Sequence, residues 1–165
     1  MKYLAIFVLL GGCLPILQLE STQSTFSIDV ADEFVGMDER NHREELKEFM
    51  GIDPVRYEWC AAFVNAVLNI QGIPGSESVS EYPLLARSFL TWGEEVTDEL
   101  KPGDIIIFPR GREGWQGHVG FYVRTKYIDD VKYYLILGGN QDNSVTYELF
   151  PARFMIAQRR YVTEE

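Results

Sequence analysis

The sequence predicts an α+β domain with N-terminal helices packed on a C-terminal antiparallel sheet. Three observations carry this. Apolar residues recur at helical spacing from about residue 38 to residue 92. Beyond Gly93 the period shortens to two. The apolar runs after that point are separated only by turn residues, too short for the crossover helices a parallel sheet needs. The length of 165 residues, with 46% apolar and 24% charged, fits one globular domain and excludes disorder, collagen and coiled coil.

Residues 24–36 mix polar and apolar side chains and read as an extended lead-in. Asp38 caps a helix running to about Met50, with Leu46, Phe49 and Met50 inside, Glu44, Glu45, Lys47 and Glu48 outside, and Gly51 as its stop. Asp53-Pro54 is either a turn or a fresh helix start. From Trp59 to Gln71, Phe63, Val64, Val67, Leu68 and Ile70 form a helical apolar face that Gly72-Ile73-Pro74-Gly75 ends. A shorter helix follows Pro83 and stops at Gly93. Lys101-Pro102-Gly103-Asp104 is a turn before a buried strand, Ile105 to Phe108, with Asp104 structural. After the 109–117 loop come strands at His118–Val123, Val131–Leu137, Ser144–Phe150 and within Phe154–Tyr161, with turns at Tyr127–Asp130 and Gly138–Asn143.

Charge excludes one class of partner. Fifteen basic residues against twenty-five acidic ones leave a net charge of −10, whereas nucleic-acid binding is driven by basic patches that release counterions. The acidic surface reads as a solvated face.

The first 24 residues read as a leader and residues 25–165 as the functional domain, with its core at about 38–161. Lys2 precedes an apolar run from Tyr3 to Leu10, the pattern of a secretory signal. Three versions stay open. Leu10-Gly11-Gly12-Cys13 resembles a lipobox that would lipidate Cys13; Thr22-Gln23-Ser24 offers a cleavage site; Tyr3 to Leu19 is a short membrane anchor. Each version implies export to the periplasm or cell envelope and removes Cys13 from the chemistry of the domain.

The domain then holds one cysteine, Cys60, at the front of its best helix. A free cysteine is commonly a small buried hydrophobe, but at a helix N-terminus the dipole and unpaired amides stabilise the thiolate nucleophile. Periodicity leaves two placements, the first turn or two turns into a helix starting at Asp53. Of the two histidines, His42 lies among Arg43, Glu44 and Glu45 on a solvated face. His118 opens the strand His118-Val119-Gly120-Phe121-Tyr122-Val123, in which alternation separates His118, Gly120 and Tyr122 from an apolar face of Val119, Phe121 and Val123. Its bland reading is a strand histidine satisfied by a carbonyl. Trp92 and Trp115 are sugar-stacking platforms or, more commonly, packed aromatics.

Four segments taken together are more specific: Trp59-Cys60-Ala61-Ala62-Phe63-Val64-Asn65, Lys101 to Phe108, Gly117 to Val123, and Leu137-Gly138-Gly139-Asn140-Gln141. In order and spacing they resemble the CHAP and NlpC-like cysteine peptidases of the papain-like group, which cleave amide bonds in bacterial peptidoglycan, over about Asp38 to Tyr161. The closest likeness is to a small-domain branch from phage and bacterial genomes. The resemblance implies a papain-like fold, Cys60 as nucleophile, His118 as general base and a polar residue on the next strand that orients the imidazole. Asn140 is the first choice for that residue, with Gln141 and Asp142 behind it. Tyr57 and Trp59, together with Trp115 and Gln141, are the expected substrate wall. Glu58 departs from the pattern, because an anion beside the nucleophile opposes thiolate formation unless it faces solvent. The reading requires no cofactor and no metal, and its partner is peptidoglycan, cut as an N-acetylmuramoyl-L-alanine amidase or as a stem-peptide endopeptidase. The competing reading is a non-catalytic envelope module that keeps the fold.

Overall fold

The computed structural model describes residues 26–162. The leader, Cys13 and the anchor reading fall outside the described residues. Among the described residues no helix is long and apolar enough to cross a membrane.

Residues 26–32 are helical, not extended as the sequence reading had them. Ser27, Val30 and Ala31 are buried and Phe34 packs behind them, an i, i+3, i+4, i+7 stripe too short to stand out beside its polar neighbours. The segment that follows is tied to the last hairpin through Gly36 N–H to Val145 C=O (2.9 Å), Val145 N–H to Met37 C=O (2.9 Å) and a bridge between Asp38 and Ser144. That cover blunts one edge of the sheet.

Helix α1 is Arg43–Met50. Asp38 heads the turn before it, its Oδ1 accepting from the amides of Arg40 and Asn41 at 3.0 Å each. Gly51, with φ +72°, ends the helix in the left-handed conformation glycine adopts without penalty. Asp53-Pro54 is a turn, where the Asp53 carboxylate pairs with Arg43. Helix α2 is Cys60–Ile70, so Cys60 stands in the first turn and Trp59 caps it. The segment after Pro83 forms a six-residue 3-10 helix, Ala86–Thr91.

The strands are β1 (Glu94–Glu95), β2 (Ile105–Phe108), β3 (His118–Ile128), β4 (Val131–Gln141), β5 (Ser144–Pro151) and β6 (Ala157–Arg160). They form one antiparallel sheet in the order β1-β6-β2-β3-β4-β5. Two-residue turns at Asp129-Asp130 and Asp142-Asn143, all four with positive φ, join β3 to β4 and β4 to β5, the conformation that matches the strand twist. The arms β3 and β4 run four to five residues beyond the predicted ends. The β3 extension carries Arg124 and Lys126 and lacks a clear buried face, while the β4 extension, Gly138–Gln141, is buried but runs through the glycines and asparagine that the sequence reading took as a turn, so hydrophobic alternation reveals neither.

Helix α2 packs on β3 and β4. Its Phe63, Val64, Val67 and Leu68 meet Ile105, Ile107, Val119, Phe121, Leu137 and Val145 in the larger core. The opposite face carries Ile106, Phe108, Tyr122, Tyr134 and Ile136 beneath Leu100, Phe150 and Met155. Asp104 is structural: buried, it takes a two-pronged ion pair from Arg160 (2.8 Å on each prong) and the amide of Lys101 (2.7 Å).

One contact sets the depth of α2. A methyl group at Gly139 of β4 would lie 2.5 Å from Trp59 Cζ3 and 2.8 Å from Phe63 Cβ, so glycine is required for the approach. Gly139→Ala is expected to destabilise the domain by about 1–3 kcal/mol, the usual cost of overpacking. Urea unfolding of both proteins measures the difference, and an unchanged midpoint would remove Gly139 from this role.

Candidate active site

Cys60 is a free thiol with 3% of its surface exposed, held where the N-terminus of α2 meets the start of β3. The β3–β4 ladder runs as far as Phe121–Leu137 and no further in that direction. In the region beyond, the amide of Val119, the residue next to His118, favours the Cys60 thiolate, as does the Ala61 amide at the helix start. Burial outweighs them and pushes the thiol above its ordinary value. Arg110 draws it down and Glu58 adds a small upward push.

His118 is 2% exposed. Its ring stacks on Phe150 at 5.2 Å, and its Nε2 lies 2.9 Å from Gln141 Oε1. The tautomer follows from the glutamine. Gln141 Nε2 already donates to the Thr146 carbonyl (2.6 Å) and approaches Thr146 Oγ1 (3.2 Å), which fixes Oε1 toward the imidazole. An oxygen there only accepts, so the neutral ring carries its proton on Nε2 and leaves a lone pair on Nδ1. Burial holds the imidazole down at about 4; the Gln141 hydrogen bond pulls upward and the Arg110 charge pushes further down. At neutral pH both members are therefore uncharged, thiol and imidazole.

The orienting contact expected of Asn140 is made by Gln141. Gly138 pairs with Thr146 and Gln141 with Ser144, so two residues of β4 stand opposite one of β5. This bulge shifts the alternation by one position and gives Gln141 the place facing His118, while Asn140 takes a positive φ of 57°. Asn140 Nδ2 instead donates to Glu58 Oε2 at 2.7 Å, which holds the carboxylate flanking the nucleophile. Gln141, also expected as substrate wall, is 2% exposed and serves the histidine. Asp142 lies in the adjoining turn.

A cleft of about 260 Å³ opens over the thiol, lined by Glu58, Cys60, Leu84–Ala86, Arg110, Gly111 and Trp115–Gly117. Trp115, 58% exposed, stands in it as anticipated. Trp59 does not. It is fully buried, donates from Nε1 to Glu39 Oε2 (3.1 Å) and packs edge-on against Phe63, because the cap position turns it into the core. Tyr57 is exposed on the preceding loop, away from the cleft lining. Trp92 is a packed aromatic, stacked on Tyr161 and bonded to the Pro74 carbonyl. His42 remains at the surface beside Asp38. Arg110 is the residue that sequence reasoning missed. A lone arginine in a glycine-rich loop carries no motif, yet its Nη2 donates to the Asn140 carbonyl (2.8 Å) and its Nη1 stands 3.5 Å from His118 Nδ1.

A family model described as CHAP domain matches residues 52–140, more than half of the chain, from the turn before Cys60 to the β4 bulge. The chain belongs to the CHAP domain family. No curated protein and no solved structure matches it. CHAP domains are typically thiol-dependent amidohydrolases, and the matched span carries both Cys60 and His118. The α+β architecture, helices on one antiparallel sheet, is compatible with this CHAP assignment.

The buried imidazole links stability to pH. Its folded pKa of about 4 lies below its unfolded value, so the unfolded chain binds more protons between roughly pH 6.5 and 4. Its contribution, about 3 kcal/mol, is complete above that window and is lost as pH falls through it. Urea unfolding at intervals from pH 4 to pH 7 should show this slope in wild type and a shallower one in His118→Gln. Equal slopes would exclude His118 as the source.

Proposed function

We propose that this CHAP domain is an exported thiol hydrolase that cleaves amide bonds of peptidoglycan. The reading is carried by a thiol in the first turn of α2, beside the Val119 amide, together with a buried histidine one residue before Val119 whose hydrogen bond to Gln141 leaves Nδ1 unprotonated. Cys60 Sγ attacks the amide carbonyl while its proton passes to His118 Nδ1. The C–N bond then breaks, the imidazolium returns the proton to the leaving amine, and a thioester remains on Cys60. Water, deprotonated by Nδ1, attacks the thioester, releasing the carboxylic product and the free thiol. Gln141 holds the ring through both steps, and the unpaired amides at the start of α2 supply donors for the oxyanion. No metal or cofactor is needed for this sequence of steps.

Scission at either N-acetylmuramoyl-L-alanine or a bond within the stem peptide fits the cleft, whose apolar wall of Leu84 and Leu85 faces the exposed indole of Trp115. The leader at 1–24 supports delivery to the periplasm or cell envelope, with lipidation of Cys13 or a retained apolar segment as the anchor.

Cys60→Ala and His118→Ala should each abolish release of amide-bond fragments from purified peptidoglycan, read by mass spectrometry, and alkylation of the wild-type thiol should do the same. Full turnover by Cys60→Ala would sink the mechanism. The orienting residue has its own test. Gln141→Ala should lower kcat by about 10- to 1000-fold, because the wrong tautomer then becomes accessible, and Asn140→Ala should cost less. The reverse order would restore Asn140 as the histidine's partner.

A further inference from the structure

Arg110 has an unusual setting for an arginine in so acidic a chain. The protein carries a net charge of −10, yet among the described residues no carboxylate lies within 4.0 Å of the Arg110 guanidinium. Its two hydrogen-bonding contacts are the Asn140 carbonyl and His118 Nδ1, both uncharged. The nearest acid in the cleft lining, Glu58, is engaged by Asn140. Glu148 is close enough for the guanidinium to stabilise its charge, without forming an ion pair. Arg110 also lines the cleft with Cys60 and is itself exposed, so its free N–H groups face arriving ligands.

A guanidinium presents donors in a planar fork that matches a carboxylate, and such paired contacts are about twice as strong as neutral ones. Here the fork is anchored at one end by the Asn140 carbonyl, which reduces the freedom lost on binding. It stands beside the reacting groups, so the anion it accepts is carried close to the scissile amide. The Leu84, Leu85 and Trp115 surfaces that share the cleft seat an apolar portion of the same ligand and limit water.

We propose that Arg110 is a specificity residue that binds a carboxylate carried by the substrate next to the scissile amide; this deepens, and rests on, the thiol-hydrolase reading above. The preferred substrates are then peptides with a free acid at that position, and their amidated counterparts are poor. Engaging the carboxylate also draws the guanidinium's donors away from the Nδ1 lone pair, so the group that selects the substrate leaves the base free to act.

The test uses synthetic muramoyl stem peptides in matched sets, each carboxyl free or amidated in turn. Binding to the full-length Cys60→Ala protein is measured by calorimetry, and cleavage by the wild type is measured in parallel. Amidation at one carboxyl should weaken binding and lower kcat/KM by about 10- to 100-fold, the range for losing a charge-assisted hydrogen bond. Arg110→Gln in the same backgrounds should remove the discrimination, and Arg110→Lys should restore part of it. Arg110 is exposed, so circular dichroism and thermal unfolding of these variants should match those of their parents. Equal affinity for all members of the sets, no measurable binding of any, or undiminished discrimination by Arg110→Gln would each overturn the proposal. The two readings fail separately: turnover by Cys60→Ala defeats the thiol mechanism, whereas an inactive Cys60→Ala with an Arg110→Gln that still discriminates defeats only the carboxylate subsite.

Discussion

The close approach of helix α2 to strand β4 is the constraint on which the site depends. Gly139 lets Trp59 and Phe63 sit directly on the sheet, and each is held from a second direction. Trp59 is tied to Glu39 through its indole, and Phe63 belongs to an aromatic cluster with Phe34 and Phe49. Burying rings of this size contributes on the order of 1.5–3 kcal/mol each, more than a typical neutral hydrogen bond. The first turn of α2 is therefore fixed by packing, and Cys60 is carried to the Val119 amide as a consequence. The fold positions Cys60 with apolar area, and the same burial sets its protonation against the polar contacts around it.

Burial, more than those polar contacts, keeps the thiol and the imidazole neutral. A buried thiolate and a buried imidazolium would each lose hydration, a cost that ion pairing seldom recovers in full. The structure takes the cheaper arrangement, with burial raising the thiol and lowering the imidazole. In the proposed reaction charge then develops only as the carbonyl is attacked, where the helix amides already point. Gln141 suits this better than a carboxylate would. A neutral acceptor fixes the tautomer and favours the imidazolium less than an anion would, so burial still keeps the ring a free base at neutral pH.

What the sequence disclosed follows the strength of each local signal. Helices α1 and α2 were legible because Leu46 with Phe49, and Phe63 with Val67, repeat at helical spacing between clear stops. Strand β2 was legible as a run of four buried residues. Cys60 and His118 stood out because they are scarce and sit in recognisable segments. The 26–32 helix was hidden by its shortness, and the two-residue β1 by having no pattern at all. The exchange of Asn140 for Gln141 was beyond reach for a specific reason: a one-residue bulge reverses which side chain faces the histidine, and the Gly-Gly before it marks irregular backbone without giving its direction. Arg110 was invisible because its setting comes from the head of β3, the β4 bulge and the start of α2 meeting, the last two far from it in sequence.

The same helix that carries the nucleophile also fixes the far wall of the cleft. Asn65, on α2, accepts the amide of Ser76 at 2.8 Å and donates to the Pro83 carbonyl at 3.0 Å, while Ser88 Oγ bonds Ser76 Oγ at 2.7 Å. All three side chains are buried, and each makes the hydrogen bonds its burial demands. This network straddles Leu84, Leu85 and Ala86, so the apolar wall and the thiol are referenced to one rigid element. This wall is then referenced to α2, while Arg110, Gly111 and Trp115–Gly117 line the cleft from the 109–117 loop. The net charge of −10 bears on recognition as well. An acidic exterior gains nothing from a polyanionic wall polymer, so in the proposed reading affinity for such a substrate arises inside the cleft, where Arg110 supplies a positive charge with no ion-pair partner among the described residues.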